Sequence, residues 1–183
     1  MKYVVLLRGI NVGGKNKVRM VELQQCLHDL GFANATTYIQ SGNIILDSKK
    51  SAKAIAAQIE KALPMKFKLD SDLIKAFVYS KRQFTDIVKK APQGFGKEPK
   101  KYYYDFIFLS GIASKKAVQE FDQNPEVDAI WTGPGVVYHR RLAAKRTKSR
   151  MAKIVAKPIY KNMTIRSWTT TSKLFTLVGI AFA

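Results

Sequence analysis

The sequence has one cysteine and no long apolar run. Because Cys26 has no second cysteine to pair with, an internal disulfide framework is excluded. The longest uncharged apolar stretch, Leu174–Ala183, is far shorter than the roughly 20 residues of a membrane-spanning helix, and it predicts a buried helix end. The N-terminus lacks the charged, apolar and small-residue layout of a secretory signal. These absences predict a cytoplasmic protein without a membrane span.

Acidic residues are scarce, and they stop before the last third of the chain. There are 13 of them against 32 Lys and Arg, which gives a formal net charge of +19. Asp128 is the last acid, and residues 129–183 contain 11 basic residues. A field of this sign attracts polyanions such as nucleic acid or anionic lipid, and it also aids solubility. Both interpretations of the charge stay open.

Groups that carry metal or nucleophile chemistry are few. His28, His139 and Cys26 show no metal-ligand spacing and no nucleophile–base pairing. Glu126 and Asp128 are close in sequence, and we expect them to cap turns or face solvent. The sequence therefore predicts no metal and no cofactor, identifies no catalytic residue, and leaves open whether the protein is an enzyme.

Apolar residues make up 46% of the chain, enough for a sizeable core. In the first half, their spacing and the Gly, Asn and Pro positions predict the order β-α-β-β-α-β, followed by a helix. Ser51 is a predicted N-cap and Gly31 a predicted helix stop, with Pro64 just beyond the second helix. The predicted strands are residues 3–8, 36–40, 44–47 and 73–79, and the helices carry Leu23 to Leu30, Ile55 to Leu63, and Phe84 to Val88.

The second half repeats this order after a Gly/Pro/Lys-rich connector at residues 91–101. A strand at residues 103–109 and a helix carrying Val118 and Phe121, with Ser114 as its candidate cap, precede strands at residues 127–131 and 136–140. A helix at residues 145–156, a strand at residues 164–167 and a last helix follow. We therefore predict an α+β fold of tandem ferredoxin-like units with antiparallel sheets. The predicted domains are residues 1–92 and the strongly basic residues 93–183.

A glycine-rich loop at residues 9–16 matches the phosphate-binding pattern G-x-x-x-x-G-K. Asn16 replaces the Ser or Thr that would hold magnesium, and the neighbouring strands form an antiparallel hairpin rather than a parallel sheet. We interpret the loop as a tight turn that needs glycine. The alternative is that its backbone N–H groups bind a phosphate or carboxylate without hydrolysis.

Two stretches resemble the bacterial family called domain of unknown function sixteen ninety-seven. The first comprises Leu6-Leu7-Arg8-Gly9-Ile10-Asn11-Val12-Gly13-Gly14, Asn16, Met20, Leu30-Gly31-Phe32 and Thr37-Tyr38-Ile39-Gln40-Ser41-Gly42-Asn43. The second comprises Thr164, Arg166, Trp168, Thr170, Thr171, Lys173 and Leu174. Ser167 and Thr169 depart from the asparagines of the family pattern. The resemblance implies a cytoplasmic α+β protein of tandem ferredoxin-like units, and it supplies no catalytic residue, activity or ligand.

Polar residues of this pattern lie at predicted strand ends, where they form a candidate ligand-binding site. A guanidinium and an indole from the second half could add to it, which suits a small anion or aromatic molecule. In the alternative, the amides cap turns and the arginines form structural ion pairs. The candidate residues are Arg8, Asn11, Gly13, Gly14, Asn16, Gln40, Ser41, Asn43, Arg166 and Trp168.

Basic residues recur at helical spacing in the second half, and they form a candidate polyanion-binding surface. On the predicted helix at residues 145–156 they share one face, and Trp131, Tyr138 and His139 could offer stacking. An ordinary solvated helix of a basic protein has the same pattern. The candidate residues are Arg140, Arg141, Lys145, Arg146, Arg150, Lys153 and Lys157.

The leading functional hypothesis is non-enzymatic binding of nucleic acid or another polyanion, without sequence specificity, through the second half. The first alternative is an enzyme or a protein binding small anions or nucleotides at Arg8, Asn11, Gln40 and Asn43. The second alternative is a protein-interaction module that pairs through sheet edges. The sequence does not predict the oligomeric state.

Overall fold

The structure is a computed structural model that describes residues 1–69 and 74–179. The chain divides into two compact units, Met1–Thr85 with Leu174–Ala183, and Asp86–Lys173. Each unit contains a four-stranded antiparallel sheet. The predicted α+β fold of ferredoxin-like units is confirmed. Leu73, the first residue of one predicted strand, lies outside the described residues, as do the last four residues of the predicted buried helix end.

The first unit follows the order β-α-β-β-α-β, and the helix after it begins in this unit and ends in the second. The sheet of the first unit has the strand order β2-β3-β1-β4, so β1 is one of the two central strands and its side chains lie in the core. The elements are β1 (Lys2–Arg8), α1 (Met20–Asp29), β2 (Thr36–Tyr38), β3 (Asn43–Asp47), α2 (Ala52–Lys66), β4 (Lys75–Ser80) and α3 (Lys81–Lys89).

Alternation along β1 directs every second side chain toward the helices. Tyr3, Val5 and Leu7 belong to one buried cluster with the apolar stripes of α1 and α2. The intervening Val4 and Leu6 are also buried, so β1 is covered on both faces. This explains why its sequence is a continuous apolar run rather than an alternating one.

Local signals mark two helix ends in the first unit. The Ser51 hydroxyl accepts a hydrogen bond from the Ala54 N–H at 3.2 Å, and Gly31 ends α1 with a φ of +88°; both predictions are confirmed. Pro64 lies inside α2, not beyond it. Because Phe67 still donates to the Leu63 carbonyl, the last turn survives the proline's missing N–H.

The second unit repeats the strand order, with its sheet arranged β6-β7-β5-β8. Three 3₁₀ segments, Ala143–Lys148, Met151–Ala156 and Pro158–Asn162, stand where the first unit has α2. The other elements are β5 (Tyr102–Leu109), α4 (Ser114–Gln119), β6 (Asp128–Gly133), β7 (Val136–Leu142), β8 (Met163–Ser167) and α5 (Trp168–Leu177). The last four residues of α5 belong to the first unit.

The predicted α-helix at residues 145–156 is therefore wrong. Ser149 takes an extended conformation between the first two 3₁₀ segments, with φ −67° and ψ 136°, and its hydroxyl donates to Asp128 Oδ1 at 2.7 Å. Met151 and Ile154 are both buried, and their three-residue spacing matches the period of a 3₁₀ turn. Tertiary contacts of these three residues override the helical periodicity of the sequence.

The second sheet is also covered on both faces. On one face, Phe95 lies edge-on against five aromatic rings, those of Tyr104, Phe106, Trp131, Tyr138 and Trp168. On the other face, α4 and the segment Met151–Ala156 contribute to an apolar cluster. Within residues 1–69 and 74–179, none of the helices has the length and apolar character needed to cross a membrane.

Candidate functional site

Two asparagine side chains hold the glycine-rich loop of the first unit in shape. Asn11 Nδ2 donates to the carbonyls of Val18 and Gln40, both at 2.9 Å, while Asn11 Oδ1 accepts from the Val18 N–H at 2.8 Å. Asn16 Nδ2 donates to the Gly9 carbonyl at 2.7 Å. Both asparagines have positive φ angles, 52° and 48°, which Asn tolerates better than most residues. Their amides therefore build the loop.

The hairpin tip between β2 and β3 contacts this loop. Asn43 is fully buried, and its Nδ2 donates to the Tyr38 carbonyl at 3.0 Å and to Ser41 Oγ at 2.9 Å. A Cβ on Gly42 would lie only 2.7 Å from Ile10 Cδ1. Glycine is required here by close packing as well as by its φ of +74°. The predicted loop residues thus lie together through backbone and amide contacts.

The tip of the loop is the exposed part of this site. Gly13 and Gly14 have positive φ angles, and added Cβ atoms would meet nothing within 4 Å. Arg8 is half-buried at the end of β1, directly opposite Lys75 of β4.

All strand pairs in the described residues are antiparallel, so the parallel sheet of a nucleotide-hydrolysing P-loop is absent from them.

Arg166 and Trp168, the two candidates from the second half, serve the core of the second unit. Arg166 is 7% exposed and donates to Thr164 Oγ1 at 2.9 Å and to the Ile165 carbonyl at 2.8 Å. Burial lowers its pKa to about 10. Trp168 stacks on Phe106 with ring centroids 5.9 Å apart. These contacts account for a structural role of both side chains.

Most of the predicted polyanion-binding residues have acidic neighbours. Arg150 and Lys153 both pair with Asp122, at 3.5 and 2.8 Å, and Lys157 pairs with Glu120 at 3.2 Å. The Arg141 guanidinium lies 4.0 Å from Asp105. The acid-free stretch of sequence therefore lies against acids from residues 105–122, which pair with four of its eleven basic residues.

Three neighbouring basic residues without an acidic partner among the described residues lie on the segment that follows β7. Lys145, Arg146 and Lys148 are exposed, and within the described part of the chain none has a carboxylate within 4 Å. Their 3₁₀ segment starts where the Ala143 N–H donates to the Lys101 carbonyl. It ends where Asn124 Nδ2 donates to the Lys148 carbonyl at 3.1 Å.

Aromatic rings and arginines adjoin this segment. The Arg140 guanidinium lies over the rings of Tyr102 and Trp131, 4.3 and 5.5 Å from their centroids, and Arg141 lies 5.4 Å from the centroid of Tyr103. Tyr103 is 42% exposed. Because side chains alternate along a strand, Tyr102 and Arg140 lie on one face of the sheet and Tyr103 and Arg141 on the other. We call this end of the sheet, with both faces, the basic–aromatic end, and it comprises Tyr102, Tyr103, Arg140, Arg141, Lys145, Arg146 and Lys148.

Two of the three side chains expected to offer stacking are unavailable for it. Tyr138 is fully buried, and its hydroxyl donates to the Ile87 carbonyl at 2.7 Å. His139 is 3% exposed. The expectation that they stack on a ligand is wrong because β7 is covered on both faces along this stretch. The exposed ring of Tyr103 supplies the aromatic surface instead.

A buried charged network lies beside the basic–aromatic end, and the sequence did not indicate it. His139 Nε2 lies 2.9 Å from Asp128 Oδ1, and Asp128 also accepts from the Ser149 hydroxyl and the Asn124 N–H. Burial raises the pKa of Asp128, but these hydrogen bonds outweigh it and hold the pKa below its usual value. The expectation that Asp128 faces solvent is wrong, since this residue is only 4% exposed.

The network continues toward a cavity. His139 Nδ1 lies 3.7 Å from Asp105 Oδ2, which in turn is 4.0 Å from Arg141. Asp105 and His139 are direct cross-strand partners. The register that pairs them is the signal that could have revealed the network, and it is known only once the pairing of β5 and β7 is known. No group of three or more His, Cys, Asp and Glu side chains in residues 1–69 and 74–179 is placed to hold a metal ion.

Comparison with known proteins places the chain among uncharacterised relatives. Residues 1–138 match the family described as Protein of unknown function (DUF1697). The chain is also similar to the solved structure of conserved bacterial protein SP0830 from Streptococcus pneumoniae, with a TM-score of 0.81 and 26% identity over 97% of this chain and 98% of that one. No curated protein matches the sequence.

Proposed function

We propose, from the premise that this chain belongs to the DUF1697 family of proteins of unknown function, that its second unit binds single-stranded nucleic acid through charge and stacking. Sequence-specific readout is not part of the proposal, because the exposed groups are cations and ring faces rather than a set of base-edge contacts. The observation that carries the proposal is the basic–aromatic end.

Three of its basic residues support the proposal because no carboxylate of the described residues compensates their charge. Exposed Lys and Arg side chains that neutralise phosphates release counterions, and this supplies most of the free energy of non-specific binding. Lys145, Arg146 and Lys148 meet that condition, while Arg150, Lys153 and Lys157 are already paired with Asp122 and Glu120. The predicted surface therefore narrows to the segment Ala143–Lys148 and its neighbours.

The aromatic side chains support a single-stranded partner. Base stacking on an aromatic ring contributes roughly 1–3 kcal/mol per base, and it requires bases that are free of a duplex. Tyr103 is exposed and has an arginine over its ring, a combination that accepts a base and its phosphate together. Duplex DNA offers only its phosphates to this surface, so we expect it to bind less tightly.

A matched pair of triple variants tests the proposal. We expect Lys145→Gln/Arg146→Gln/Lys148→Gln to weaken binding of a fluorescent 20-nucleotide RNA at least tenfold in fluorescence anisotropy. Its log-log salt slope should fall by about 0.7 for each phosphate that the variant no longer neutralises. The control Arg150→Gln/Lys153→Gln/Lys157→Gln removes the same charge from paired positions and should change affinity less than threefold. Equal losses would indicate a general field effect, and no binding at low salt would exclude the function.

A single substitution tests the stacking component. Tyr103→Leu keeps the charge and most of the apolar area, so we expect it to weaken RNA binding about tenfold without changing the salt slope. Heparin has no bases, and its affinity should not change in this variant. If Tyr103→Leu leaves RNA affinity intact, binding is by charge alone and extends to any polyanion.

The loop of the first unit supports a second proposal, binding of a small anion. Arg8 and Lys75 are cross-strand neighbours, and the exposed Gly13 and Gly14 of the adjoining loop place backbone N–H groups in a turn of the kind that suits an anion. A thermal-shift screen with nucleotides and inorganic phosphate tests it, since a ligand of the folded state raises the melting temperature. Hits should disappear in Arg8→Gln and remain in Lys15→Gln at the exposed loop tip; hits that persist in Arg8→Gln would exclude this site.

A further inference from the structure

The second unit contains a cavity of about 340 Å³ that shares Arg141 with the basic–aromatic end and is otherwise lined by residues outside both proposed functions. Its volume lies at the lower end of the roughly 300–1,000 Å³ that small-molecule sites occupy. Most of its wall is apolar and includes Phe121, Met151 and Ile154, which suit a flat ring. Three polar side chains, those of Asp105, His139 and Arg141, complete the lining.

The polar part of the cavity has unused hydrogen-bonding capacity. Asp105 is 3.7 Å from His139 Nδ1 and 4.0 Å from Arg141, and both distances exceed a hydrogen bond. Arg141 Nε is buried, and no described group accepts its hydrogen. His139 Nε2 is already engaged by Asp128 at 2.9 Å. The cavity therefore presents a carboxylate acceptor beside a guanidinium donor.

These charges determine which ligand head fits. An anionic head would be attracted by Arg141 but repelled by Asp105. A cationic head would be attracted by Asp105 but repelled by Arg141. An uncharged head with an N–H donor next to a carbonyl acceptor satisfies both groups at once. Lactams, cyclic imides and the hydrogen-bonding edges of nucleobases have this chemistry.

We propose that this cavity binds a small, flat, uncharged molecule that presents an N–H group beside a carbonyl oxygen. The N–H donates to Asp105 Oδ2, the carbonyl accepts from Arg141, and the ring packs against Phe121, Met151 and Ile154. This proposal does not depend on nucleic-acid binding by the second unit, because it concerns the cavity side of Arg141 and not the exposed lysines.

A set of bicyclic probes that share one ring size tests the head chemistry. The probes are isoquinolin-1(2H)-one, which is a lactam, naphthalene, 2-naphthoate and 2-naphthylmethylammonium, and binding to the full chain is followed by the methyl NMR signal of Met151. We expect the lactam to bind at least tenfold more tightly than the other three. Tightest binding of the carboxylate, the ammonium or the plain hydrocarbon, or no shift with any probe, would overturn the proposal.

Two variants locate the bound probe. Asp105→Asn replaces the charged acceptor by a neutral one and should weaken lactam binding at least fivefold, with naphthalene binding unchanged. Ala152→Trp, at the exposed rim of the cavity, should block all probes while leaving the polar group intact; because Ala152 is exposed, this variant should fold. Unchanged lactam affinity in both variants would place the probe elsewhere and overturn the assignment.

Discussion

The two units share one strand order but bury different kinds of polar groups. Among the described residues, the first unit buries a single polar side chain, the neutral amide of Asn43. The second buries two threonines, Thr164 and Thr171, and also Asp128, His139 and Arg166. A buried charge costs far more than a buried amide unless it is paired and hydrogen-bonded. The same topology therefore depends on packing in one unit and on a charged network in the other.

The units also differ less in charge than the sequence suggests. The first has 14 basic and 6 acidic residues, and the second has 18 and 7. The difference that matters is local, because acids of the second unit pair with some of its lysines and arginines. Lys145, Arg146 and Lys148 have no such partner within the described residues. Function is therefore better judged from unpaired groups than from net charge.

The largest expected difference between the units comes from removing one buried charge. Asp128→Asn places an amide N–H₂ against groups that already donate, those of His139, Ser149 and Asn124. We expect the free energy of unfolding to fall by about 3 kcal/mol in urea denaturation. The same change at the half-exposed Asp29 of the first unit should lower it by less than about 1 kcal/mol. Equal losses would show that the network does not distinguish the units.

A glycine pair gives the next largest effect within the second unit. A Cβ on Gly96 would lie 2.3 Å from Trp168 Cε2, whereas one on Gly94 would meet nothing within 4 Å. Both have positive φ, so Gly94→Ala should cost about 1 kcal/mol for backbone strain alone. Gly96→Ala should cost about 3 kcal/mol because overpacking is added. Similar melting temperatures for the two variants would show that the aromatic rings around Phe95 shift at little cost to make room for the added methyl group.

One serine in each unit allows a direct comparison of the same substitution. Ser51→Ala removes an N-cap from α2 and should cost about 1 kcal/mol. Ser149→Ala removes a hydrogen bond to the buried carboxylate of Asp128 and should cost about 2 kcal/mol. Urea denaturation of both variants measures the difference. A larger loss for Ser51→Ala would mean that the 3₁₀ segments do not depend on the charged network.

The smallest expected effect is a dependence of stability on pH. Burial raises the pKa of Asp128 and its hydrogen bonds lower it, so only the net decrease contributes. A carboxyl whose folded pKa is lowered stabilises the protein above its unfolded pKa of roughly 3.9, and this contribution is lost as pH falls through the folded pKa. The gap in unfolding free energy between wild type and Asp128→Asn should therefore narrow below about pH 4. A constant gap from pH 7 to pH 3 would contradict this.

Local patterns were sufficient to predict the fold and much of the first unit. Three features depend only on neighbours in sequence and could therefore be predicted without a structure: the apolar run of β1, the Ser51 cap and the left-handed Gly31. The candidate loop residues were recognised, but the roles of Asn11, Asn16 and Asn43 emerged from their amide contacts. In the second unit, periodicity predicted a helix at residues 145–156 that tertiary contacts do not allow.

The sequence by itself determined the α+β class, the two antiparallel sheets and the basic character, because these follow from spacing and composition. Only the tertiary structure decided which charges remain exposed, because pairing joins residues far apart in sequence, such as Asp122 with Lys153 and Asp128 with His139. The same holds for the cavity, whose polar lining exists only once β5 and β7 are in register. Whether a charged side chain binds a partner or stabilises the core depends on these long-range contacts, and a linear sequence does not contain distances.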